Sequence, residues 1–233
     1  MSSRGSAVRD MFAAIAPRYD AANRVLTAGV DETWRRRAVR ELAVPVGGSI
    51  LDLCTGTGDL AFHLVRTNST VKVTAVDFCE PMLAKARARA REEDPRGRTA
   101  FIEADVLSLP FAERSFDGAT MGFSMRNVVD ITATLREIRR VLRPGARFVN
   151  LDVSKPRIRA VRKAFEIYFY GLVPLIGGIV GGSRAAYRYL PQSLTNYPDA
   201  EALGERFATA GFVDVRIVRL GMCAIAIHVG TAP

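Results

Sequence analysis

The segment SILDLCTGTGDLA, from Ser49 to Ala61, constrains this chain more than any other. Its apolar start suits a short strand inside a parallel sheet, and its glycines end that strand in a tight turn that opens a helix. Gly56 and Gly58 let bare backbone N–H groups approach a ligand. A second apolar run, Val71 to Phe78, carries Asp77 near its end. That is about 20 residues beyond the glycines, where a carboxylate can accept both hydroxyls of a ribose. The pattern predicts a nucleotide-cofactor pocket. Taken alone, Gly56-Thr57-Gly58-Asp59-Leu60-Ala61 also satisfies the G-x-G-x-x-G/A pattern of a dinucleotide site. An NAD-dependent oxidoreductase is therefore open at this point.

Further acids separate the two. Asp52 sits inside the first strand, just before the glycines, and Asp105 follows a third strand, Thr99 to Ala104. Ser115 to Phe123 reads as a fourth strand; Val141 to Val153 reads as a helix end, a Pro-Gly turn and a fifth strand. The order acid, glycines, acid, acid and then Leu-Arg-Pro-Gly resembles that of Rossmann-like methyltransferases that use S-adenosylmethionine. There the first acid helps hold the methionine amino end, and the third can meet the adenine amino group. The resemblance implies an α/β fold of class I, a seven-stranded, mostly parallel sheet closed by a C-terminal antiparallel hairpin. The hairpin falls at Val213 to Arg219 and Ala224 to Val229. Implied cofactor-binding residues are Asp52, Gly56, Thr57, Gly58, Asp77 and Phe78, with Met82, Asp105, Val106 and Gly122. An oxidoreductase would leave Asp52 and Asp105 unexplained.

At 233 residues and 48% hydrophobic, with no linker or repeat, the chain is expected to form one domain spanning 1–233. Helices are predicted at about Ala7 to Ala16, Thr33 to Leu42, Asp59 to Arg66, Met82 to Glu93, Ile131 to Leu142 and Ala200 to Ala210. The N-terminal helices, within 1–45, are expected over the substrate site, and an apolar insert over 157–190 is expected to cap it. Cys54, Cys79 and Cys223 have neither metal-like spacing nor the density of a disulfide framework, which predicts a reducing cytoplasm and no metal. No apolar secretory core follows Ser2, Ser3 and Arg4.

The formal net charge is +9, but Arg35 to Arg37, the alternating Arg87, Arg89 and Arg91, and the cluster Arg157 to Lys163 are scattered. Without interleaved aromatics they do not describe a nucleic-acid surface. A membrane suits the charge better. Ile167 to Gly182 is uncharged, interrupted by Pro174 and glycines, and flanked by Arg162, Lys163 and Arg184. It is expected to lie on an anionic bilayer, peripheral on the inner face of the cytoplasmic membrane, to wall a channel for an apolar tail, or to bury itself over the site. The same apolar surface would serve a homodimer.

Narrower motifs point to a subfamily. MFAAIAPRYDAAN (Met11 to Asn23), LPFAERSFD (Leu109 to Asp117), MRNVVD (Met125 to Asp130), VSKP (Val153 to Pro156), YRYLPQSLTNYPD (Tyr187 to Asp199) and AIHVG (Ala226 to Gly230) resemble the C-methyltransferase family of menaquinone and ubiquinone biosynthesis. The similarity runs nearly end to end. It departs at Phe123-Ser124-Met125, Ala146, Asp152-Val153 and Gly221-Met222-Cys223. The family's cofactor-touching serine falls at Gly122, with Ser124 as the candidate replacement.

The resemblance implies methyl transfer to a ring carbon of a lipid-soluble prenylated quinol. It assigns catalysis to Arg126 and Asn127. An arginine stays protonated at ordinary pH, so Arg126 is expected to stabilise developing oxyanion charge while water takes the proton. Asn127 would hold a water or the quinol hydroxyl. Tyr19, Asn23, Ser124 and Tyr187 are candidates for the acceptor pocket. His228, in an alternating apolar strand, is expected to be structural, His63 solvated, and Cys54 a small core residue. The alternative acceptor is another small aromatic metabolite.

Overall fold

A computed structural model describes residues 3–233, apart from the side chains of residues 3, 4 and 184. Three helices come first: α1 (Ser3–Ile15), α2 (Tyr19–Thr27) and α3 (Asp31–Leu42). An alternating stretch follows, in the order β1 (Ser49–Leu53), α4 (Asp59–Thr67), β2 (Lys72–Asp77), α5 (Glu80–Glu93), β3 (Thr99–Glu103), β4 (Phe116–Gly122), α6 (Ile131–Val141) and β5 (Leu142–Val153). The insert holds α7 (Arg159–Glu166), α8 (Val173–Val180) and α9 (Arg184–Thr195), and the chain closes with α10 (Ala200–Thr209), β6 (Val213–Leu220) and β7 (Ile225–Thr231).

The seven strands form one sheet in the order β3-β2-β1-β4-β5-β7-β6. The first five are parallel, and β7 runs antiparallel to both β5 and β6. Strand residues alternate between two cores, as the two-residue pleat requires. Leu51, Leu53, Met121 and Phe148 face α6 and α10, while Ile50, Val73, Val149 and Leu151 face α3 and α4. The order in which strands are added reverses between the parallel neighbours β1 and β4, so a crevice opens at their carboxyl ends, where open α/β sheets bind ligands.

The sequence pattern does not reveal α2, a nine-residue helix behind Pro17. Its apolar content is low, and tertiary contact holds it: the Tyr168 hydroxyl donates to the carbonyl of Leu26. The Pro144-Gly145 turn does not interrupt β5. The strand runs through it, and the pairing slips between Phe116↔Leu142 and Gly118↔Arg147. In the insert, a π-helical turn at Ile167–Leu172 joins α7 to α8, giving a continuous helix over Arg159–Val180. The wider turn stands ahead of Pro174, which lacks an N–H and crowds the preceding turn. This helix is long and apolar enough to cross a membrane, by length and composition.

Candidate active site

The crevice holds a cavity of about 340 Å³. Its cofactor side is built by the ends of β1 and β2. Asp52 pairs in register with Thr120 of β4, whose hydroxyl donates to its Oδ1 at 2.6 Å, and Thr55 donates to Oδ2 at 2.6 Å. Asp77 accepts from the backbone N–H of Gly56 at 2.8 Å and of Cys79 at 2.9 Å. Burial pushes both carboxyls up to about 6, against the pull of those hydrogen bonds. Gly56, at φ +55°, faces open space where a Cβ would meet nothing within 4 Å. Thr57, Phe78, Met82, Asp105 and Val106 also line the cavity. Asp105 is exposed at its rim and accepts from the N–H of Leu107 at 3.0 Å.

Gly58 does not reach the cavity wall. It caps α4 at φ +91°, and an added Cβ would lie 2.7 Å from the buried Phe62 ring. Its role is to let the turn close. Gly58→Ala is expected to cost about 2–4 kcal/mol, from left-handed strain plus overpacking. Gly97→Ala, at φ +64° with no neighbour within 4 Å, is expected to cost only about 1 kcal/mol. Denaturant unfolding compares them.

Gly122 lines the cavity, and the space its missing side chain leaves is filled by Leu60, whose Cδ1 would lie 2.7 Å from an added Cβ. Ser124 also lines the cavity, but its hydroxyl donates back to the Gly122 carbonyl at 3.0 Å.

The other side of the cavity is walled by Phe12, Tyr19, Arg35, Asp59, Phe123 and Asn127. Asn127 stands out, because its Oδ1 is buried without a hydrogen-bond partner. Arg126 is buried one residue away. Its Nη1 donates to Asp152 Oδ1 and to the Phe123 carbonyl, each at 2.5 Å, and the side chain does not reach the cavity wall. Asn23 and Tyr187 also lie outside that wall. Asn23 hydrogen-bonds Tyr19. The Tyr187 ring lies flat on α8, so close to Gly177 and Gly181 that a Cβ at either would approach it to 2.1 Å.

Two side chains call for more than their sequence expectations gave them. His63 is buried rather than solvated, with its Nε2 3.9 Å from Glu32 Oε1 and its pKa lowered, first by burial and then by Arg66. Cys54 packs against the core from its edge and also lines the cavity. Burial, with Asp77, Asp52 and Asp105, pushes its thiol well up, so it stays neutral. The Val153 to Pro156 and Tyr187 to Asp199 motifs meet each other through Lys155 Nζ, which donates to the Tyr197 carbonyl at 2.9 Å. His228 is buried, with Nε2 2.8 Å from the Ala200 carbonyl.

Sequence inspection missed Arg35, Asp59 and Asp20. Arg35 is buried, pairs with Asp31 and with Asp59 Oδ2 at 3.0 Å, and lies 5.4 Å over the Phe123 ring. The i,i+4 spacing of Asp31 and Arg35 was its one visible signal. Asp20 accepts from Thr57 Oγ1 at 2.6 Å and from Lys85 Nζ at 2.9 Å, tying α2 to the glycine turn. Arg89 adds hydrogen bonds to the Thr57 carbonyl at 3.0 Å and to Asp59 at 2.8 Å.

Two buried carboxylates with raised pKa, an open glycine turn and a third acid at the rim fit a ligand that combines positive charge with ribose hydroxyls. Fold and pocket together define a methyltransferase of the S-adenosylmethionine-dependent class, because a dinucleotide sheet would continue parallel where this one turns back through β7 and β6. A solved S-adenosylmethionine-dependent methyltransferase from Aquifex aeolicus shares the fold, with a TM-score of 0.64 and 18% identity over 85% of this chain and 89% of that one. The chain belongs to the ubiE/COQ5 methyltransferase family, whose profile matches residues 1–232. A demethylmenaquinone methyltransferase of Thermus thermophilus is 45% identical, over 96% of this chain and 100% of its own length. A ubiquinone/menaquinone biosynthesis C-methyltransferase of Geobacter sulfurreducens is 41% identical, over 92% of this chain and 84% of its own.

The raised carboxyl pKa values set a pH dependence. If these two carboxyls hold the cofactor, their ionised forms would bind it better, so affinity is expected to be level above about pH 7 and to fall as pH drops through about 6. Titration calorimetry at pH 7.5 and 5 should differ by roughly 10- to 100-fold, since each group gives up to about tenfold per pH unit.

Proposed function

We propose that this chain transfers a methyl group from S-adenosylmethionine to a ring carbon of a prenylated quinol, demethylmenaquinol or the ubiquinone precursor. The observation that carries the reading is Asn127, whose buried, unpartnered Oδ1 in the cavity wall suits a hydroxyl donor on the acceptor. The printed names of the full-length relatives support the same acceptor class.

When bound, the cofactor supplies its methyl group from the sulfonium; the carbon–sulfur bond breaks with its electron pair kept by sulfur, and an electron pair of the ring forms the new carbon–carbon bond. Asp77 takes the ribose hydroxyls, Asp52 the methionine amino end, and Asp105 with Val106 the adenine edge. Phe78 and Met82 would contact the adenosine, Gly56 and Thr57 would offer it backbone, Gly58 shapes the turn, and Gly122 with Ser124 forms the wall beside Leu60. Asn127 accepts from the quinol hydroxyl and fixes the ring. Arg126 contributes its charge from behind Phe123, and water carries away the phenolic proton. Tyr19 shapes the acceptor side, Asn23 positions Tyr19, and Tyr187 holds the insert in place.

The chain acts as a single cytoplasmic domain with α1 and α2 over the site, and its insert rests on the inner face of the membrane. Ile167, Tyr170, Leu172, Leu175 and Ile179 are exposed along the 159–180 helix, as is Ile158 just before it. Phe169, Val173 and Gly177 bury its other face against the protein. A helix packed along one side suits lying in the interface better than spanning it.

The test is methyl transfer from labelled S-adenosylmethionine, with reduced demethylmenaquinone and the ubiquinone precursor offered separately in anionic vesicles. Product with either quinol supports the reading. Tight cofactor binding without product from either moves the acceptor to another small aromatic, and activity that is indifferent to vesicles, with a dimer in solution, assigns the apolar face to a second copy.

A further inference from the structure

The acceptor side of the cavity holds one arginine and no lysine among the described lining residues, and that arginine is Arg35. Arg126 is turned into a buried pair with Asp152. Arg35 is anchored by Asp31 and Asp59, yet a guanidinium has five N–H donors, more than those two contacts require. Its plane is steadied over Phe123, itself at the end of β4 and in the cavity wall. A phenol already stands beside it. Tyr19 lines the same wall, and the charges of Arg35 and then Arg126 favour its ionised form, although burial outweighs them and raises its pKa overall.

We infer that Arg35 is a catalytic residue that binds the acceptor's phenolic oxygen and stabilises it as the phenolate on which carbon methylation depends. The inference rests on the quinol reading above. In the step it assists, the phenolic O–H bond breaks, the proton leaves to water and the electron pair stays on oxygen. That charge spreads to the ring carbon, whose pair then forms the bond to the incoming methyl. The ring C–H proton departs afterwards and restores the aromatic ring. Other charged or titratable groups near Arg35 are Asp31 and Glu32 on its own helix, Asp59, His63 and Arg66 on α4, Tyr19 on α2, Arg89 of α5 through Asp59, and Arg126. The carboxylates oppose the effect, which places the demand for stabilisation on direct donation by the guanidinium.

The test compares the wild type, Arg35→Gln and Arg35→Lys in two measurements on protein saturated with S-adenosylmethionine. The first is kcat for quinol methylation against pH. The second is a spectrophotometric titration of 4-nitro-1-naphthol, a chromophoric phenol whose bound ionisation is read without turnover. Arg35→Gln should lower kcat about 100-fold at pH 7.5 and move the rise of the pH profile about one unit or more toward alkali. It should also abolish a lowering of the probe's bound pKa seen in the wild type, and Arg35→Lys should recover part of each effect. A probe pKa in the wild type equal to that in free solution, or the same in wild type and Arg35→Gln, overturns the inference. So does a kcat loss that is uniform across pH and equal in both variants. Wild-type protein that lowers the probe pKa through Arg35 but methylates neither quinol retains the phenolate site and overturns the quinol reading alone.

Discussion

Asp77→Asn should weaken S-adenosylmethionine binding by at least about 100-fold, read as Kd by titration calorimetry at pH 7.5. Charge-assisted hydrogen bonds contribute about 1.5–3 kcal/mol each, and in the proposed site this carboxylate makes two to the ribose. Both its oxygens also accept backbone N–H groups, from Gly56 and Cys79. An amide in its place would aim an NH₂ at one of those donors. The turn and the ligand contact would therefore be lost together. A Kd within about fivefold of the wild type would remove Asp77 from the cofactor site.

The second large effect is on stability. Asp152→Ala should lower unfolding free energy by about 3–5 kcal/mol, because it strands the Arg126 charge in the interior. The two side chains are 5% and 2% exposed, so water offers almost no compensation. For a chain of this length, Tm should fall by roughly 10 °C, which calorimetry would show. Replacing both partners, as Arg126→Met with Asp152→Leu, should recover most of that loss, since an apolar pair leaves no charge unpaired. If the double variant is as unstable as the single one, the pair is not what holds this region. If it folds but has lost turnover, Arg126 contributes to catalysis apart from its structural pairing.

The strands and their acids were legible because their signals are local. Asp52, Gly56 and Asp77 lie on elements whose period and turn chemistry are written in consecutive residues. Arg35, Arg36 and Arg37 show why the rest was not. They are identical neighbours in sequence, yet Arg35 is buried in the cavity wall, Arg36 meets Glu32 at 3.7 Å in solvent, and Arg37 pairs with Glu41 at 2.6 Å. The docking of α3 against α4 and the sheet separates them. Tyr187 errs in the other direction. It sits in a subfamily motif that suggests substrate contact, whereas its ring fills the groove left by Gly177 and Gly181. The Gly122 departure was visible in sequence, but the compensating bulk of Leu60 comes from a different element.

The clasp at Asp20 makes the roof and the floor of the site one mechanical unit. Lys85 grips not only that carboxylate but also the carbonyls of Ala16 and Pro17, at 3.1 and 3.3 Å, while Thr57 and Arg89 hold the other end. Any displacement of α2 would therefore strain the glycine turn, because the two meet at the same carboxylate. The two halves of the site thus share one set of fastenings, and a change at Asp20 or Lys85 is felt on both sides of the cavity.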